Sequence, residues 1–318
     1  MRIPRQPARM ISGHLLPTFM RKLADSMKLK NYTGLLYISP WIIGFLVFQF
    51  YPIFASLYYS FTDYSMARDP KFIGFKNYVD MFTIDPNFLL SLKVTIVYVL
   101  MAVPLKLIFA LIVAVVLNLK LKFVNFFRTV YYIPSILGGS VAIAILWRAM
   151  FLKDGLVNHV LAYLHIPPVE WFGSTYIALF TLSLLTVWQF GSSMVLFLAG
   201  LKQIPQELYE AGTMDGASKL RMFFTITLPM LTPIVFFNLV MQMITALQEF
   251  TSAFVVTNGA PMKGTYLYGM KLYEEAFSNF KMGYASALSW VLFVLILIIT
   301  FFIFRSSKSW VHYEDGGH

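Results

Sequence analysis

Four polar side chains interrupt one long apolar run. Asn238, Gln242, Thr245 and Glu249 stand at i, i+4, i+7 and i+11, which is one stripe of an α-helix. Eleven residues rise about 16 Å, roughly half the hydrocarbon core of a bilayer. Amide, hydroxyl and carboxylate groups supply the donors and acceptors that pair with the hydroxyls of a polar solute. The same groups also bond one helix to another inside a membrane, and the spacing permits both uses. A second apolar run carries Lys106 near its middle. A lysine there costs about 2.5–3.5 kcal/mol on insertion scales, so it must face other helices or water. It is either a polar contact on a transport path or a structural partner of a carboxylate or backbone carbonyl. Other chemistries are missing. The chain has no cysteine, which excludes disulfides and thiolate metal sites. His14, His159, His165, His312 and His318 are scattered without ligand spacing. No G-x-x-x-x-G-K-[ST] phosphate loop occurs, so the chain does not bind ATP in that way.

A different kind of segment, ELYEAGTMDG, occupies 207–216 between two apolar runs. Pro205 suits the first turn of a helix, where its missing N–H is not needed. Leu208, Ala211 and Gly212 then share a face. Asp215-Gly216 is a turn signal, and Gly216 takes positive φ cheaply. A second short helix is expected from about Ser218 toward Pro229. The segment reads helix–turn–helix, with a small-residue face that a partner can approach closely and Glu210 beside it as a charge. An amphipathic loop lying on lipid headgroups fits the same pattern.

The elements that must position these residues follow from composition. The chain has 318 residues, 58% of them hydrophobic and 13% charged, where an ordinary globular domain carries roughly 25% charge. Six runs reach the roughly 20 apolar residues that span a bilayer. They lie near 35–60, 89–118, 129–151, 174–200, 229–257 and 284–304. The reading is an all-α integral membrane protein with a basic N-terminal segment over 1–34, a membrane domain over 35–304 whose loop 201–228 holds the acidic segment, and a tail over 305–318. The net charge is +10. Lysine and arginine number 15 in the N-terminal, second, fourth and final inter-span segments and 8 in the others. The positive-inside rule then places both termini in the cytoplasm, and loop asymmetry explains the excess without nucleic acid. No apolar core with a small-residue cleavage site follows the N-terminus, so a secretory signal is not expected. Residues 10–29 suit an interfacial helix, although Pro17 interrupts it, and fit a disordered basic tail equally. Gly138, Gly139 and Ser140 are expected to allow close helix packing.

These stretches resemble a known family. Glu210-Ala211-Gly212, three residues, Gly216, nine residues and Ile226-Thr227-Leu228-Pro229 look like the cytoplasmic EAA motif of permease subunits of binding-protein-dependent ABC importers, with Gly212 standing for the motif's second alanine. SPWIIGFLVFQFYPIFASLYYSFTDY (39–64), FRTVYYIPSI (127–136), VVTNGAPMKGTYLYGMKLYEEAF (255–277) and GYASALS (283–289) are similar to its carbohydrate branch, the maltose and glycerol-3-phosphate permeases. The resemblance implies six transmembrane helices in the type I importer permease (MetI-like) fold, in a prokaryotic inner membrane. It implies that Glu210, Ala211, Gly212, Asp215, Gly216 and Pro229 couple the chain to a cytoplasmic ATPase. Expected partners are a sister permease (a heterodimer), two ATP-binding subunits and an extracytoplasmic solute-binding protein, with ATP and Mg on the ATPase and no cofactor on this chain. The family places part of the substrate path on the fourth and fifth spans, which adds Gln189 and Ser192 to the stripe; Trp188 is a candidate for stacking on a sugar. A secondary transporter is the alternative. It predicts broken helices and intramembrane ion ligands, for which Lys106 and Glu249 are the available charges. A membrane enzyme predicts a catalytic constellation that the sequence lacks.

Overall fold

The computed structural model describes residues 37–119 and 122–312. The basic segment 1–34, with its expected interfacial helix, and the last six residues of the tail lie outside them. The chain divides into two units, 1–58 and 59–318. Helix α1 (Tyr37–Ser60) fills the described part of the first. Its π turn Leu46–Phe50 ends two residues before Pro52, whose missing N–H and ring displace the regular hydrogen-bond ladder.

The second unit is built around α3 (Pro86–Asn118), 33 residues long and so about 50 Å. Asp85 caps it by accepting from the Asn87 N–H at 2.9 Å, with Pro86 in the first turn. Tyr98, Ala102, Ala110 and Ala114 along α3 are each fully buried. The alanines let neighbouring backbones approach closely, and α7 (Thr175–Trp188), α8 (Gly191–Leu201) and α11 (Thr232–Leu247) pack there. The last helix, α14 (Met282–Ser307), also packs on α11.

Each expected apolar run is helical, but three of the six are broken. Helices α4 (Val124–Leu137) and α5 (Val141–Met150) meet at 104°, α7 and α8 at 51°, and α10 (Lys219–Met230) and α11 at 65°. Among the described residues, three helices are long and apolar enough to cross a membrane, or up to six if each bent pair is one span. The breaks have local causes. Gly138-Gly139-Ser140 separates the first pair after Pro134 inside α4. Gly191 opens α8, and Pro229 and Pro233 bracket the third break. The glycines expected to pack one straight helix against another instead sit at a bend. Short helices α2 (Lys76–Thr83), α6 (Leu156–Tyr163), α9 (Gln206–Met214), α12 (Thr251–Val256) and α13 (Tyr268–Tyr273) complete the described chain.

Candidate functional sites

The acidic segment forms helix α9, a turn and the start of α10. Pro205 stands at the N-cap and Glu207 in the first turn, where a carboxylate favours the positive end of the helix dipole. The helix ends in a Schellman motif: the Ala217 N–H reaches the Gly212 carbonyl at 2.9 Å and the Gly216 N–H reaches Thr213 at 3.0 Å. Gly216 has φ +72°, the left-handed conformation that this cap requires. Ser218 then caps α10 by accepting from the Arg221 N–H at 3.3 Å.

The two helices lock on each other through the side of α9 that carries Tyr209 and Gly212. Tyr209 Oη and Thr227 Oγ1 lie 2.8 Å apart. A Cβ on Gly212 would stand 3.3 Å from both Ile226 Cδ1 and Met222 Sδ. Gly212 therefore serves packing within the loop, a use that helical spacing alone does not distinguish from contact with a partner. Leu208, Ala211, Met214 and Leu220 remain exposed. Glu210 is exposed beside them, with Gln206 Nε2 donating to its Oε1 at 2.9 Å. Asp215 is exposed at the turn, and Pro229 is half-buried near the far end of α10.

The second set of predicted residues gathers around the helix breaks. Gln189, just past the end of α7, donates from Nε2 to the Gly138 carbonyl at 2.9 Å. Ser135 Oγ donates to the Gln189 carbonyl at 3.1 Å and accepts from the Ser192 N–H at 3.0 Å. The α4/α5 break is thus stitched to the α7/α8 break. Gly138 is required by this closeness, since a Cβ there would lie 2.1 Å from Gln189 Cδ. Trp188 packs near Trp147, with ring centroids 6.2 Å apart.

The stripe on α11 is only partly a stripe. Asn238 is 1% exposed, and its buried Oδ1 has no hydrogen bond among the described residues. Gln242 is half-buried, and Thr245 is exposed while bonding back to the Met241 carbonyl at 2.8 Å. The helix stops at Leu247, so Glu249 lies beyond it rather than one further turn along. Its Oε1 accepts from the Ser252 N–H at 3.0 Å and from Ser252 Oγ at 2.7 Å, fastening the start of α12. Tyr98 of α3 lies 2.6 Å from Thr186 Oγ1 on α7. Tyr98 and Lys106 stand four residues either side of Ala102, the midpoint of α3, about 6 Å each way. The structure thereby joins Gln189 and Ser192 through Ser135 and leaves Glu249 at the start of α12 and Asn238 on α11. Tyr98, Ser135, Thr186 and Ser252 were not singled out by sequence. Isolated hydroxyls in apolar helices are too common to mark a site, and only the folded contacts distinguish these.

Comparison with known proteins agrees with this architecture. Residues 87–310 match the model of the binding-protein-dependent transport system inner membrane component family. The probable ABC transporter permease protein YesP of Bacillus subtilis (strain 168) is 50% identical over 297 residues, covering 92% of this chain and 96% of that protein. The arabinooligosaccharides transport system permease protein AraP of the same strain is 30% identical over 312 residues, covering 96% and 98%. A chain of a bacterial alginate ABC transporter, crystallised with an alginate pentasaccharide-bound periplasmic protein, superposes with a TM-score of 0.76 at 21% identity. The match covers 90% of this chain and 97% of that one, and at that identity it speaks for the fold. Matched by the family model over residues 87–310, from the first turn of α3 through α14, and 50% identical to a permease over 92% of its length, the chain belongs to the inner membrane components of binding-protein-dependent transport systems, a transport permease and not an enzyme.

Proposed function

We propose that this permease forms half of the translocation path of an ATP-driven importer for a sugar or oligosaccharide. A sister permease supplies the other half as a heterodimer. Two ATP-binding subunits on the cytoplasmic face hold ATP and Mg, a solute-binding protein delivers the substrate from outside, and this chain binds no cofactor. Both termini lie in the cytoplasm, on the side of α9 and α10. The observation that carries the reading is the α9–α10 loop. Its internal contacts use Tyr209, Gly212 and Thr227, which frees Glu210, Ala211 and Asp215 and the apolar Leu208, Met214 and Leu220 for a partner. A rigid helix pair with exposed carboxylates at Glu207, Glu210 and Asp215 and apolar flanks suits docking into a groove, with a charge-assisted hydrogen bond accepted by Glu210. Gly216 and Pro229 fix the geometry of the pair at its two ends. ATPase closure then moves α9 and α10, and the bend between α10 and α11 passes that motion to the membrane helices.

For the substrate, Gln189, Ser192, Gln242, Thr245 and Glu249, with Asn238 behind them, supply the amide, hydroxyl and carboxylate groups that a sugar's hydroxyls require. The relative named for arabinooligosaccharide transport, matched over 96% of this chain, favours that class. Glu210→Lys tests the coupling role. Reversing a charge-assisted contact should lower binding-protein-stimulated ATPase activity and ATPase co-purification by about tenfold or more, with membrane insertion intact. Full co-purification together with full uptake would exclude the coupling role.

A further inference from the structure

Two prolines set the chemistry of the elbow between α10 and α11. Pro229 and Pro233 stand either side of the 65° bend. Pro233 has no N–H to give the carbonyl four residues before it, which is that of Pro229. The Thr232 hydroxyl supplies a donor instead, with Oγ1 2.6 Å from the Pro229 oxygen. A hydroxyl that donates once can still accept. Here the second bond comes from 80 residues further along the chain, where the His312 N–H donates to the same Oγ1 at 2.9 Å. The segment that reaches the elbow is folded to do so. Helix α14 ends at Ser307, and the N–H groups of Trp310 and Val311 turn back to the Ser307 carbonyl at 3.2 and 2.9 Å. Trp310 then meets Phe236 of α11 with ring centroids 6.1 Å apart, and Phe304 of α14 meets the same ring at 4.8 Å. Phe236 is buried and stands four residues after Thr232, on the same face of α11.

The end of α14 is therefore held on the elbow at two levels, by a ring contact and by a hydrogen bond to the hydroxyl inside the bend. Side-chain packing by itself lets one helix slide on another. A hydrogen bond is directional and fixes where the tail meets the bend. We propose that residues 308–312 are a clasp that ties α14 to the α10–α11 elbow, and that Thr232 is a positioning residue for coupling. Displacement received by α9 and α10 then reaches α14 together with α11. The inference rests on the reading of α9 and α10 as the ATPase-coupling loop and adds a second helix that carries the motion.

The test uses the whole importer in proteoliposomes, with partner subunits freed of cysteine, and drives it with ATP and vanadate. This chain has no cysteine of its own, so nitroxide pairs can be placed at will. Leu119→Cys, at the end of α3, is the reference. Thr225→Cys reports α10, and Arg305→Cys reports the last turn of α14; all three positions are exposed. Nucleotide trapping should shift both distances from Leu119 by about 2 Å, the scale of helix displacements in such transitions. Thr232→Val keeps the branched shape without the hydroxyl. It should keep the Thr225 shift, which also shows that the complex is folded and coupled, and lose the Arg305 shift. Thr232→Ser should keep both. His312→Pro removes the donating N–H and should act like Thr232→Val, whereas His312→Ala should act like wild type. An Arg305 shift that survives Thr232→Val or His312→Pro overturns the clasp. So does a wild type in which Thr225 shifts and Arg305 does not, with the coupling reading left standing. A wild type in which Thr225 itself does not shift overturns both.

Discussion

Lys271 shows how a single residue can fasten a loop to a membrane helix. It is 1% exposed, with Nζ 2.5 Å from Asp85 Oδ2 and 3.3 Å from Glu275 Oε1. Tyr284 Oη donates to the same Asp85 oxygen at 2.6 Å. Burial alone raises the Asp85 carboxyl, but the bonds from Lys271 and Tyr284 and the Lys271 charge outweigh it and hold the group below its ordinary value of 3.8. A buried pair broken by removing one partner leaves uncompensated charge. Lys271→Met should therefore destabilise the permease by about 3 kcal/mol, the lower end for such a change because both carboxylates keep some solvent, seen as a fall in thermal melting temperature. The pH dependence has a definite sign. A carboxyl whose folded pKa is depressed contributes stability that is complete above its unfolded value and disappears as pH falls through the folded one. The melting gap between wild type and variant should stay constant from neutrality down to about pH 5 and narrow below the ordinary carboxylate value of 3.8. A gap that widens in acid would contradict the assignment. Lys271 is unremarkable in sequence, one of eight basic residues assigned to outer segments. Its partners lie 186 residues upstream and four downstream, and only the second of these is a local pattern.

Among the elements, the three bent helix pairs separate what hydropathy reveals from what it cannot. A window of apolar residues measures length and not direction, so all six runs were legible while the 104°, 51° and 65° bends were not. The α9–α10 loop was legible because its signals are local. Pro205, Asp215-Gly216 and Ser218 each act within four residues of their own position, and each stands where a cap or turn needs it. The polar stripe failed at Glu249 for the converse reason: periodicity extrapolates a helix until something ends it, and α11 ends at Leu247. The stitched breaks give a direct test. Gly138→Val places atoms where Gln189 Cδ already lies, and such overpacking costs about 1–3 kcal/mol. Transport and thermal stability should both fall. Gln189→Ala alone loses one hydrogen bond, about 1 kcal/mol, and opens the space that valine needs. The double variant should be more stable than Gly138→Val alone, a coupling of the kind that double-mutant cycles isolate. Strictly additive losses would mean that the two breaks do not touch as described.

At the scale of the whole molecule, charge sets which way the helices run through the bilayer. Segments assigned to the cytoplasm hold 15 lysines and arginines against 8 outside, and such a bias orients membrane proteins. The proposed coupling requires the α9–α10 loop to share its side with an ATPase, so orientation and coupling stand or fall together. The absence of cysteine from the chain makes the point measurable, because any thiol introduced is the only one present. Met214, next to the Schellman turn, is 88% exposed, and Met262, in the segment between α12 and α13, is 91% exposed. Neither side chain holds the core together, so cysteine at either place should cost little stability. A membrane-impermeant thiol reagent should label Met262→Cys in intact cells and leave Met214→Cys untouched. In inside-out vesicles the pattern should reverse, and adding the ATPase subunits should slow labelling of Met214→Cys severalfold, since docking covers the turn. Labelling of Met214→Cys from outside would invert the topology and remove the coupling reading with it. Inside-only labelling that the ATPase does not slow would keep the topology and move the docking surface off α9.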